Sequence, residues 1–140
     1  MTMKEVRKLT LIVEWIDGEF GGQVKAPGFL FTTQGNSVDI VIDNLRDLIE
    51  DYLENEGKDA AEWLGIEVDD LEFECVYKLE AFFEHFRELK ITAVAQRAGM
   101  NPNLLQQYVS GNKQASQSQA KKIESAIHQL ANELRQVALA

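Results

Sequence analysis

Between Lys8 and Trp15 the chain alternates. KLTLIVEW puts Leu9, Leu11, Val13 and Trp15 on one side of an extended backbone. IDGE follows, with Asp17-Gly18 at the tip of a two-residue turn, and predicts a hairpin. The return, EFGGQVKA, carries Phe20, Gly22 and Val24 inward. Pro27-Gly28 then turns into a third strand, FLFTT, where Phe29 and Phe31 keep the period of two.

From Ser37 the period changes. Val38, Val41, Ile42, Leu45, Leu48, Ile49, Tyr52 and Leu53 are separated by threes and fours, while Asp39, Asp43, Asp47, Glu50, Asp51 and Glu54 take the rest of the circumference. The spacing predicts an amphipathic helix with Asn36 or Ser37 as its N-cap and Gly57 at its end. After a polar stretch containing Trp63 and Leu64, DDLEFECVYKL alternates again through Leu71, Phe73, Cys75 and Tyr77. The predicted order is β-β-β-α-β, a small sheet with one helix across its face.

From Leu79 every signal is helical. The chain therefore reads as α+β, with an acidic sheet domain over residues 1–78 and an all-α domain over residues 79–140. No Pro/Gly/Ser-rich linker marks the boundary, which predicts abutting units. At 140 residues, two such units each lie near the lower limit for independent folding and are expected to lean on each other or on a partner.

One window in the second half carries a specific arrangement. Numbered from Ile91, the fifth position is Ala95, where a small side chain lets two helices cross closely, and the ninth is Gly99, where a turn needs positive φ. Val94, Ala98, Met100, Leu105 and Tyr108 fall where a helix-turn-helix faces inward. Asn101 caps the second helix and Pro102 occupies its first turn, where a missing N–H costs nothing. Pro102, Asn103, Gln106 and Gln107 are left facing outward, and Asn or Gln amides pair bidentately with adenine in a major groove. Gly111-Asn112-Lys113 follows. Ser116 or Ser118 caps a further helix that brings Lys121 and Lys122 near, so Asn112, Lys113, Lys121 and Lys122 are read as phosphate-positioning groups and Asn103, Gln106 and Gln107 as base-reading ones.

The formal net charge of -9 conceals a division. Residues 1–78 hold 7 Lys+Arg against 18 Asp+Glu, a balance of -11, and residues 90–140 hold 6 against 2, a balance of +4. Two ends so different in charge imply different partners.

The second half resembles the Cro/phage-repressor type of helix-turn-helix. The resemblance is carried by the turn from Ala95 to Gly99, the exit through Tyr108 and Gly111, and a following helix with Ile123, Ile127 and Leu130. Ala115 stands where that family usually has proline. Thr92 stands where a glutamine often contacts phosphate and base, and so joins the candidate DNA contacts. The first half, through LIVEWIDGEFGGQVKAPGF, Gly35 and NSVDIVIDNLRDLIEDYLE, is similar to the HicB antitoxins, with Pro27-Gly28-Phe29 matching that family's proline-glycine-cysteine segment only in part. The likeness implies a partial ribonuclease H fold, binding of a small basic ribonuclease toxin of HicA type, and repression of the shared operon. An acidic domain would attract such a toxin, and Asp39, Asp43, Asp47 and Glu50 on the helix are the candidate contacts, although solvation alone also accounts for carboxylates there.

Enzymatic chemistry is not expected. Two-metal phosphodiester cleavage needs carboxylates converging from strand centres and helix ends. Here Asp17 lies in a turn and most others lie along a helix or in polar loops. His85 and His128 sit on separate helices without a second ligand at metal spacing, and lone Cys75 excludes disulfide and four-cysteine zinc frameworks. There is no phosphate-cradling glycine loop, so no cofactor or metal is expected. No apolar run is long enough for a membrane span and no signal-peptide pattern opens the chain, so the expected location is cytoplasmic.

One recognition helix contacts few bases, so a homodimer or dimer of dimers is expected, with Ile123, Ile127, Leu130, Leu134 and Val137 as a stripe that either pairs copies or completes the core. The alternative function is an orphan helix-turn-helix regulator whose acidic domain dimerises or senses a ligand.

Overall fold

A computed structural model describes residues 7–140. The class is α+β, in the order β1 (Arg7–Ile16), β2 (Glu19–Ala26), β3 (Phe29–Gly35), α1 (Val38–Glu54), β4 (Leu71–Tyr77), α2 (Leu79–His85), α3 (Ile91–Arg97), α4 (Pro102–Ser110) and α5 (Gln117–Arg135). Two compact units divide between His85 and Phe86.

The first unit is a four-stranded sheet in the order β3-β2-β1-β4. β1 pairs antiparallel with β2 from Leu11↔Val24 to Ile16↔Glu19 and parallel with β4 from Arg7↔Leu71 to Val13↔Tyr77. The first hairpin closes on Asp17 (φ 51) and Gly18 (φ 78), the left-handed pair that matches strand twist. The second turns on Pro27 and Gly28, whose φ of 91 a side chain would strain.

α1 begins where the sequence allows. The Ser37 side chain accepts from the Ile40 N–H, and Ser37 is thus the cap. The helix ends at Glu54 with Asn55 as C-cap, earlier than the Gly57 expected from sequence; Gly57 instead donates its N–H to the Tyr52 carbonyl at 2.7 Å and gives room to the Tyr52 ring. Val38, Val41, Leu45, Ile49 and Tyr52 are buried against the sheet with Leu11, Val13, Phe20 and Val24. Each such side chain contributes roughly 1.5–3 kcal/mol on removal from water. Gly22 is what lets helix and sheet approach, since a Cβ there would collide with Val41 and press on Leu11.

Two features of this unit rest on contacts between distant parts of the chain. Trp63, in a short 3-10 turn at Ala61–Trp63, is buried, stacks on Phe29 at 5.4 Å and donates its indole N–H to the Pro27 carbonyl at 2.7 Å. α2 belongs to the sheet unit: Ala81 joins its core, Phe83 is buried, and His85 lies edge-on to Phe20 and stacked on Tyr77. The division therefore falls after residue 85, not between 78 and 79, because an amphipathic turn directly after β4 folds back onto its own sheet. No described helix is long and apolar enough to cross a membrane.

Candidate nucleic-acid interface

The second unit is built from α3, α4 and α5 around Val94, Ala95, Met100, Leu105, Ile123 and Ala126, all buried. Ala95 is fully buried where a small residue permits the crossing of α3 and α4. Gly99 takes φ 67 in the turn between them, and the Met100 N–H reaches back to the Ala95 carbonyl at 2.9 Å. Ala98 and Tyr108 are half-buried. Of the five residues expected to face inward in the window, Val94, Met100 and Leu105 are thus buried and Ala98 and Tyr108 partly so.

α4 is held at both ends. The Asn101 side chain accepts from the Asn103 N–H at 2.8 Å, Pro102 occupies the first turn, and Gly111 ends the helix in the left-handed region at φ 83. The next loop is fastened back by the Lys113 N–H, which donates to the Gln107 carbonyl at 3.1 Å. Ser116 then accepts from the Gln119 N–H and starts α5.

Asn103, Gln106 and Gln107 stand exposed along α4, with Asn101 exposed and Pro102 half-exposed at its start and Asn112 and Lys113 exposed in the loop beyond. These seven are brought together on one helix and its two flanks. Thr92 is exposed in the first turn of α3. Lys121 and Lys122 are exposed on α5, where they border a shallow groove of about 320 Å3 with Ser118, Ser125 and Arg97. In the sequence Arg97 is one of the six basic residues between positions 90 and 140. It ends α3, forms an ion pair with Glu133 of α5, and adds a third cation to that groove. Its position depends on how α3 crosses α5, which no local spacing encodes.

The unit from Phe86 carries 7 Lys+Arg against 3 Asp+Glu, net +4, whereas residues 1–85 carry 7 against 20, net -13. The exposed surface of α4 presents amide groups able to donate and accept together, without a carboxylate in the helix to repel phosphate.

In the first unit, Asp39, Asp43, Asp47 and Glu50 are all exposed and share one face of α1, at spacings of four, four and three. Glu50 also borders a groove of about 300 Å3 lined by Leu53, Ile66 and Val68 together with Glu54, Glu67 and Asp69. That groove is not legible in the sequence, since it forms between α1 and the loop leading to β4.

Cys75 is half-buried on β4, and burial pushes its thiol up despite a hydrogen bond with Tyr77, so thiolate is disfavoured there. His85 packs between aromatic rings and His128 is exposed on α5. Among the described residues no three His, Cys, Asp or Glu side chains are grouped to hold a metal.

No protein-family model, curated protein or solved structure matches this chain.

Proposed function

We propose that this chain is a DNA-binding repressor that also acts as an antitoxin of HicA/HicB type. α4 reads an operator, and the acidic first unit binds a small basic ribonuclease toxin. The observation that carries the DNA reading is the pairing of a capped, glycine-turned α3–α4 unit with an outward row of Asn103, Gln106 and Gln107. In the major groove those amides would read adenine edges, while Lys113, Asn112 and the N–H groups at the start of α4 hold phosphate. In this reading Thr92, exposed at the start of α3, would add a phosphate contact, and Lys121, Lys122 and Arg97 would add positive charge on α5 and the end of α3.

The toxin reading is supported by the contrast of -13 and +4 between the two units and by the acidic face of α1 with its adjoining groove. A ribonuclease must itself be basic to hold RNA, so the first unit would steer its approach. Leu53, Ile66 and Val68 among the carboxylates of the groove offer what charge alone lacks, a contact that salt does not screen. In this reading the two units work without catalysis of their own: one occupies the toxin and the other shuts off its synthesis.

Affinity capture of the tagged full chain from its native cells, washed at low and at high salt, tests the antitoxin reading. A stoichiometric small basic protein whose ribonuclease activity the chain suppresses supports it. Recovery of promoter DNA with no such protein leaves the chain as an orphan regulator.

A further inference from the structure

α5 carries two apolar lines with different fates. Ile123 and Ala126 are buried in the core of their own unit and Leu130 is half-buried beside them. Ile127, Ala131 and Leu134 lie next to that line, within about a sixth of a helical turn of one another. Ile127 is half-buried, Ala131 is exposed and Leu134 is 60% exposed. Val137, just past the helix, is 57% exposed. The stripe that the sequence left between core and interface is thus divided along its length.

We propose that a second copy of this chain covers the outer line, with the two α5 helices packed antiparallel about a two-fold axis near Leu130 and Ala131. The inference rests on the DNA-reading proposal only for the use of such a dimer; the interface itself rests on three features of α5. First, spacings of four and three suit helix-on-helix packing, and the same helix supplies the matching partner. Second, Ala131 at the centre is small enough to let two helices approach closely.

Third, the flanking charges select the direction. Glu124 and Arg135 lie on the same side of the line, eleven positions apart, and both are exposed. Antiparallel packing about Leu130 and Ala131 brings Glu124 of each copy beside Arg135 of the other. In a parallel two-fold pair each flank of the line meets the opposite flank of the partner, so Glu124 of one copy would not reach Arg135 of the other. Exposed pairs add little affinity but do discriminate between orientations. The contact is small, a few side chains where a standard interface uses about 20–30 residues on each side. Self-association through it is therefore weak and concentration-dependent in free protein.

Such an arrangement gives DNA reading what a lone α4 lacks. The two recognition helices become related by the two-fold through the same rigid unit that carries them, so the operator is expected to be palindromic.

Sedimentation equilibrium of the full chain without DNA, from micromolar to hundreds of micromolar, tests the proposal. The expected result is a reversible monomer–dimer equilibrium that Leu134→Glu and Ala131→Glu each weaken by at least about tenfold, with helical circular dichroism unchanged. Glu124→Arg should weaken it less, and adding Arg135→Glu should restore it. In a Cys75→Ser background, chains with Ile127→Cys and Leu134→Cys should cross-link to each other when mixed and neither to itself. A chain monomeric throughout, a dimer indifferent to Leu134→Glu, or self-cross-linking at both cysteines overturns the inference. Since DNA is absent, the outcome is separable from the DNA reading: a chain that binds a duplex as a monomer defeats only this interface, and a chain that dimerises this way yet binds no duplex defeats only the function.

Discussion

The Lys113 N–H donates to the Gln107 carbonyl at 3.1 Å. The loop that carries Lys113 is thereby fastened to the helix that carries the outward amides. Under the proposed DNA reading, this would spare the complex the cost of ordering the loop.

Lys113→Ala leaves that backbone bond in place and removes only the charge. The expected outcome is weaker binding to every duplex, cognate or scrambled, with the slope of log K against log salt shallower by about one, read from titrations at several salt concentrations.

Asn101→Ala removes the side-chain oxygen that the Asn103 N–H uses. Loss of this cap should cost about 1 kcal/mol in the stability of the second unit, measured by urea unfolding followed through its helical signal. Asn101→Ser should recover most of the loss.

Gly22→Ala introduces a Cβ that collides with Val41 and crowds Leu11. The prediction is destabilisation of the sheet unit by about 1–3 kcal/mol, seen as a lower urea midpoint in Trp fluorescence. Adding Val41→Ala should recover part of it, because the two changes share one space.

Tyr77 is pushed up to about 12, by burial first and by neighbouring Cys75 second. A phenol raised in the folded state favours its neutral form there. Its share of stability is complete below about pH 10, the unfolded value, and is lost as pH rises through about 12. The stability difference between the native chain and Tyr77→Phe should therefore be constant up to about pH 10 and shift against the native chain above it. Chemical unfolding at a series of pH values measures this.

Local signals made most of the elements legible. Alternation through Leu9, Leu11, Val13 and Trp15 set the face of β1, Asp17-Gly18 set its turn, and the spacing from Val38 to Tyr52 set α1. The helix-turn-helix could be read because Ala95, Gly99, Asn101 and Gly111 each meet a backbone or packing demand within one short window. What escaped depends on contacts between distant parts. Trp63 sits in a polar stretch with no period, and its burial is decided by Phe29 and Pro27, more than thirty residues away. α2 carries no local mark of which unit it joins; Phe20 and the β4 face settle it. Arg97 enters the basic groove through the crossing of α3 and α5, and the groove beside Glu50 exists only once α1 meets the loop before β4. Side-chain type and helical spacing marked both the outward amides of α4 and the carboxylates of α1 as candidates.

The central claim is that Gln106 and Gln107 read bases. The most direct test selects duplexes from a random pool with the native chain, then titrates the selected duplex and a scrambled one with native protein and with Gln106→Ala/Gln107→Ala at a single salt concentration. The account predicts that the double variant loses about 1–3 kcal/mol or more on the selected duplex and binds the scrambled one as the native chain does. Equal affinity of native and variant protein for the selected duplex, or no sequence enriched at all, would contradict it.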